Sequence, residues 1–167
     1  MIDANHALDA IARKLNLAKL SFTDSQVGID VKPDLTIFLS LIDDTTIEAS
    51  CLLEFLGNAD APMLRAMLEA NYLGGAVGHG RLAIDAGSGD VILCESWNLA
   101  ELDVSSLEAR LDVFTNTAEF WLTPGSKGLL ERADSLRIAT SREDEANAIA
   151  QFVQTDEDDQ TPILMRL

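Results

Sequence analysis

Residues 26–55 read QVGIDVKPDLTIFLSLIDDTTIEASCLLEF, and this stretch decides the fold. Apolar residues alternate in three runs. Val27, Ile29 and Val31 share one parity in the first, and Leu35, Ile37, Leu39 and Leu41 in the second. Ile47, Ala49, Cys51, Leu53 and Phe55 share it in the third. A period of two marks a strand with one face buried. Lys32-Pro33-Asp34 and Asp43-Asp44-Thr45 supply turns, because proline presets φ and aspartate bonds its own backbone. The inward sets keep parity across both turns, as antiparallel register demands. The outward face is mixed, with Phe38, Ile42 and Leu52 beside Thr46, Glu48 and Ser50. Those apolar residues are either covered by the chain itself or form an exposed patch, and the pattern leaves both open.

Helical periods flank this stretch. From Asp3 to Leu15, residues Ala4, Leu8, Ile11, Ala12 and Leu15 fall on one stripe, with Asp3 as N-cap. A second helix runs from about Ala61 to Leu73, with Asp60 capping it, Pro62 in its first turn and Gly74-Gly75 stopping it. It carries two apolar stripes: Leu64, Met67, Leu68 and Tyr72 on one, and Met63, Ala66, Ala70 and Leu73 on the other. Arg65 and Glu69 form only a narrow polar seam. A surface helix needs one apolar face, so this one is either sandwiched or meets another chain. The small number of elements favours the second.

A hairpin follows, from Gly80 to Ala86 and from Asp90 to Trp97 around Gly87-Ser88-Gly89. The expected pairing sets Leu82 and Ile84 beside Ile92 and Cys94 on one face. Ala83, Val91, Leu93 and Trp97 take the other, with Arg81 opposite Glu95. A third helix from Asp103 to Trp121 holds the helical period through Leu107, Leu111, Phe114, Ala118 and Trp121, and Thr123-Pro124-Gly125 ends it. The fold class is α+β: an antiparallel sheet of about five strands packed with three helices. Its order is helix, three strands, helix, two strands, helix, plus a C-terminal extension. Residues 1–121 form one domain. Residues 122–167 form the extension, with weak helical segments at Leu129-Leu130-Leu136 and at Ala146-Ile149-Ala150-Val153. It closes on an acidic run, 156–159, and an apolar end, 162–165.

The chain has 167 residues, 47% of them apolar, with 12 Lys and Arg against 28 Asp and Glu for a net charge of −16. That apolar content excludes a wholly disordered chain. The acidity argues against nucleic acid or an anionic membrane as partner, since phosphates need clustered cations. No apolar run reaches the roughly 18–20 residues of a membrane span. Met1 to His6 carry neither a basic patch nor an apolar run, so no signal peptide is expected. Cys51 and Cys94 offer no disulfide framework, and a reducing cytoplasm is the expected compartment.

The catalytic inventory is thin. His6 and His79 are the only histidines, and no local ligand pair joins them to the cysteines. Both cysteines fall in apolar strand patterns and read as small core residues. Gly74 to Gly80 follow a helix and lead into a strand, the reverse of a phosphate loop, and read as a helix stop and turn. Asp156 to Asp159 lack the spacing and central glycine of a calcium loop. No enzyme, metal or cofactor is expected.

The order of elements and the residues that punctuate it resemble the Tir chaperone (CesT-like) family, the class I chaperones of bacterial type III secretion. The resemblance spans roughly residues 3–121. Its sharpest part is Leu68-Glu69-Ala70-Asn71-Tyr72-Leu73-Gly74, then Gly80-Arg81-Leu82-Ala83-Ile84-Asp85, Gly89 and Val91-Ile92-Leu93. Leu102-Asp103, Leu107-Glu108, Leu111, Phe114 and Ala118-Glu119-Phe120-Trp121 are similar to the family's last helix. The resemblance implies a cytoplasmic homodimer without a catalytic site that binds the N-terminal segment of a secreted effector. Polypeptide in apolar grooves is ordered as it binds. On that reading Leu64, Met67, Leu68 and Tyr72, helped by Leu93 and Trp97, form the dimer seam. Leu8, Ile11, Phe38, Ile42 and Leu52 form the effector groove. The extension departs from the family pattern; it occupies the groove, contacts the secretion apparatus, or does neither. A competing reading keeps the same fold but makes it a regulatory module for a folded protein partner.

Overall fold

The alternating stretch folds into three antiparallel strands, β1 (Gln26–Lys32), β2 (Leu35–Asp43) and β3 (Thr46–Leu52). Ile29 pairs with Ile37, and Leu39 with both Val27 and Ala49, so the inward sets share one face. The computed structural model describes residues 2–56, 59–74 and 76–157. The side chains of Phe55 and Leu73, Gly75, the end of the acidic run and the apolar end 162–165 lie outside that description. Two further strands, β4 (Arg81–Ile84) and β5 (Val91–Asn98), complete a five-stranded antiparallel sheet of order β1-β2-β3-β5-β4.

The β4–β5 register differs by one residue from the expected one. Leu82 pairs with Leu93 and Ile84 with Val91, while Arg81 lies opposite Cys94 and Ala83 opposite Ile92. The cause is the turn. Asp85 Oδ1 accepts from the backbone N–H groups of Gly87 and Ser88, and Asp85 itself pairs with Asp90. Ala86 therefore belongs to the loop and not to the strand. One residue of slip moves every side chain to the other face, so Leu82, Val91, Leu93 and Trp97 all enter the core.

Aspartates start the first three helices. Asp3 accepts from His6 N–H at 2.8 Å at the head of α1 (Ala4–Lys14), Asp60 from Met63 N–H at 3.0 Å at the head of α2 (Ala61–Asn71), and Asp103 from Ser106 N–H at 2.7 Å at the head of α3 (Val104–Phe120). Each cap satisfies a helix N–H that would otherwise lack a partner, worth about 1 kcal/mol. Leu8 and Ile11 of α1, and Leu107, Leu111 and Phe114 of α3, join the inward face of the sheet in one core. Trp97 meets Phe114 edge-to-face with ring centres 6.1 Å apart. The glycine run turns as expected: Gly74 and Gly78 hold φ of +66° and +60°, and a Cβ on Gly80 would sit 2.7 Å from the Cys94 carbonyl oxygen.

Pro124 does not end the helical path. Residues Trp121–Gly125 form a π-turn with Pro124 inside it, and α4 (Ser126–Glu157) follows directly as a single 32-residue helix. A π-turn shifts the hydrogen-bond pattern by one residue and accommodates the proline's missing N–H. The two weak segments expected after residue 122 are thus one helix. Its first turns bury Leu129, Ala133 and Leu136 in the common core and pack against α2.

Candidate functional site

The sheet register arranges the second face in rows. Carrying the Phe38–Ser50 register two residues on, Thr36, opposite Asp30 on β1, falls level with Leu52, which pairs with Ile92 and so with Ala83. Gly28, Phe38, Ser50, Cys94 and Arg81 make the next row. Gln26, Ser40, Glu48 and Ser96 make a third. The third row is polar and paired: Ser96 donates to Glu48, Gln26 donates to Ser40, and Arg81 of the second row reaches the Glu48 carboxylate at 2.5 Å. The first two rows carry Phe38, Leu52 and Ile92, all only half-buried. One end of the face is therefore apolar and the other polar.

At the apolar end lies a cleft of about 700 Å³. Leu35, Phe38, Cys51 and Leu52 line its apolar part, and Leu122 and Thr123 enter from beyond α3. Phe38 reaches across β1 because residue 28 is glycine: a Cβ there would stand 3.2 Å from the Phe38 ring. Lys32, Asp34, Glu54 and Glu119 form the charged part of the lining. Lys32 Nζ meets Glu119 Oε1 at 2.5 Å and ties β1 to α3. Cys51 has no nucleophilic character, since burial pushes its thiol up to about 11, and burial pushes Cys94 up to about 12. Among the described residues no three metal-ligating side chains gather, and no helix is long and apolar enough to cross a membrane.

Of the predicted groove residues, Phe38 and Leu52 come together in this cleft. Ile42 is 62% exposed but four residues further along β2, about 13 Å away. Leu8 and Ile11 are fully buried on the core side of α1. The predicted seam also divides. Leu64, Leu68 and Tyr72 are 43%, 71% and 75% exposed and follow one another along α2 and its end. Met67, Leu93 and Trp97 are buried inside the protomer.

Several working contacts escaped the sequence reading, which set Arg81 opposite Glu95; Arg81 instead meets Glu48, and Glu95 meets Arg110. Asn71 donates to the Leu82 carbonyl at 3.0 Å and accepts from Leu82 N–H at 2.8 Å, so it closes the free edge of β4. Glu69 accepts from Arg132 of α4 at 2.7 Å, and Asp60 takes the fork of Arg137 at 2.9 Å on both oxygens. These guanidinium bonds hold both carboxyls below the usual carboxylate range, with the N-cap bond from Met63 adding to the effect at Asp60. Glu95 is buried and meets Arg110 of α3 at 2.7 Å. Its parity with Val91, Leu93 and Trp97 was the available signal: a carboxylate on a core face needs a partner.

A family model described as the Tir chaperone protein (CesT) family matches residues 6–122. No curated protein matches the sequence. Among solved structures, the fold is similar to a chain of the ExsC–ExsE complex, with TM-score 0.58 and 19% identity over 71% of this chain and 90% of that one. It is similar to a chain of the ExoT–SpcS complex from Pseudomonas aeruginosa, with TM-score 0.54 and 21% identity over 69% and 93%. A chain of the HopA1–SchA chaperone–effector complex gives TM-score 0.53 and 21% identity over 70% and 90%. At these identities the likeness is one of fold.

Proposed function

The chain belongs to the Tir chaperone protein (CesT) family, and from that membership we propose that it is a non-catalytic, homodimeric chaperone of type III secretion, acting in the cytoplasm. Its client is the N-terminal segment of a secreted effector, which it keeps soluble and competent for export. The observation that carries this reading is the family match over residues 6–122, a span that contains the exposed face of α2 and every lining residue of the cleft but Thr123. Two features support it. Phe38 and Leu52 offer part-exposed apolar surface where an extended segment can bury side chains. Leu64, Leu68 and Tyr72 offer a second apolar surface to another copy, while Met67, Leu93 and Trp97 serve the protomer core. A strongly acidic surface keeps such an assembly dispersed while its apolar patches are filled.

Co-expression with the products of neighbouring genes tests the reading. The expected result is a soluble complex of two copies with one effector, whose N-terminal segment resists protease while staying extended. A compact partner bound without remodelling would assign the chain instead to regulation of folded proteins. Changing Phe38 and Leu52 together to Ser should leave the circular dichroism spectrum intact and abolish co-purification of the effector. Unaltered co-purification would remove the cleft from the client site.

A further inference from the structure

We propose that the Phe38–Leu52 cleft is selective for charge: it takes a client segment whose large apolar residue is flanked by lysine or arginine, with Asp34 and Glu54 pairing the flanking cations. This rests on the client-binding reading above and specifies the client's chemistry. The cleft brings three carboxylates and one cation around its apolar lining. Asp34 comes from the β1–β2 turn, Glu54 from just beyond β3, and Glu119 from the last turn of α3. Lys32 answers Glu119. Among the described residues, Asp34 and Glu54 have no cation within 4 Å. The mouth is therefore apolar inside and doubly negative in what remains unpaired.

The choice of occupant follows from desolvation. A segment seated on Phe38 and Leu52 covers the mouth and takes water from Asp34 and Glu54. A neutral segment leaves both carboxylates uncompensated, and an acidic one adds repulsion. Flanking lysines or arginines restore what the water supplied. A cleft of about 700 Å³ is about 9 Å across, comparable with the ~8 Å screening length of physiological salt. The selection is thus local to the anchor and differs from the diffuse attraction that a net charge of −16 exerts on any cation. A second copy of this chain is a poor occupant, because it brings the same excess of negative charge.

Three synthetic peptides with one shared Leu-Ile-Phe anchor, flanked by Lys and Arg, by Gln and Ser, or by Asp and Glu, test this by fluorescence anisotropy on the full chain. The basic peptide should bind about tenfold more tightly than the neutral one, in keeping with two exposed ion pairs, and the acidic one more weakly still. Raising the salt should close the gap. Asp34→Asn with Glu54→Gln should abolish the gap from both sides, weakening the basic peptide by its lost ion pairs and tightening the neutral one, which no longer covers two uncompensated carboxylates. Phe38→Ser should weaken all three. Equal affinity for the three peptides, a gap that survives the double substitution, or no binding by any of them would overturn the proposal. None of those results touches effector co-purification, so the chaperone reading stands or falls separately.

Discussion

Glu95 is a carboxylate at a position where its strand neighbours Val91, Leu93 and Trp97 are all core residues. Its charge is tolerable because Arg110 reaches it from α3 at 2.7 Å. The pair pins helix to sheet, but it is costly to break, because removing one partner strands the other charge out of water. Arg110→Ala should lose about 3 kcal/mol in urea unfolding. Adding Glu95→Gln should restore part of that loss, since the stranded group is then neutral. Equal stability of Arg110→Ala and wild type would mean that the carboxylate is hydrated. Asn71 makes a parallel case at the free edge of the sheet. Its amide satisfies both backbone groups of Leu82, the work another strand would do. Asn71→Ala should cost about 1–3 kcal/mol and should raise amide exchange at Leu82 before that at Leu93, which sits between two strands. Exchange rising equally at both would show that the edge has no separate dependence on Asn71.

At the level of elements, α4 is held by two kinds of force. Leu129, Ala133 and Leu136 bury apolar surface in the core, and Arg132 and Arg137 bond Glu69 and Asp60 of α2. The folded carboxyls titrate below their ordinary values because the guanidinium groups favour the charged form. Their contribution is therefore complete above about pH 5.5, where the unfolded carboxyls are ionised, and fades as pH falls through the lower folded values. Protease cleavage within α4 should increase in that acidic window. Arg132→Ala with Arg137→Ala should raise cleavage already at neutral pH and flatten its rise on acidification, and an unchanged profile would leave the docking to apolar burial alone. This helix also marks where the sequence stopped being legible. The three alternating runs, the aspartate caps and the glycine turn were readable because each rests on a local rule of spacing or backbone geometry. Pro124 misled because its rule assumes an α-helical hydrogen-bond pattern, and the π-turn at Trp121–Gly125 suspends it. The β4–β5 register misled because Asp85 lengthens the turn through side-chain bonds that residue order does not display. Within the candidate site, the apolar parity of Phe38 and Leu52 was visible. Glu54 and Glu119 gather there only through tertiary folding, from sites far apart in the chain.

For the whole molecule, the two faces of α2 have separate fates. Met63, Ala66 and Met67 are buried, and Glu69 is clasped by Arg132 of α4. Leu64, Leu68 and Tyr72 are left to solvent, three large side chains spaced so that they line up along the helix. Burying one such side chain is worth about 1.5–3 kcal/mol, and a two-fold contact counts each residue twice. Leu68, the more exposed of the two leucines, is the place to break the contact. Leu68→Glu should halve the mass seen by light scattering, because a carboxylate moved into an apolar contact must lose its water. It should leave the separated protomer folded, with a wild-type circular dichroism spectrum, since Leu68 is 71% exposed and contributes little to the protomer core. Substituting both Arg132 and Arg137 with Ala disturbs the other side of the helix and should leave the mass unchanged. If Leu68→Glu retains the wild-type mass, the exposed stripe of α2 is not the seam between copies, and any homodimer must form through another surface.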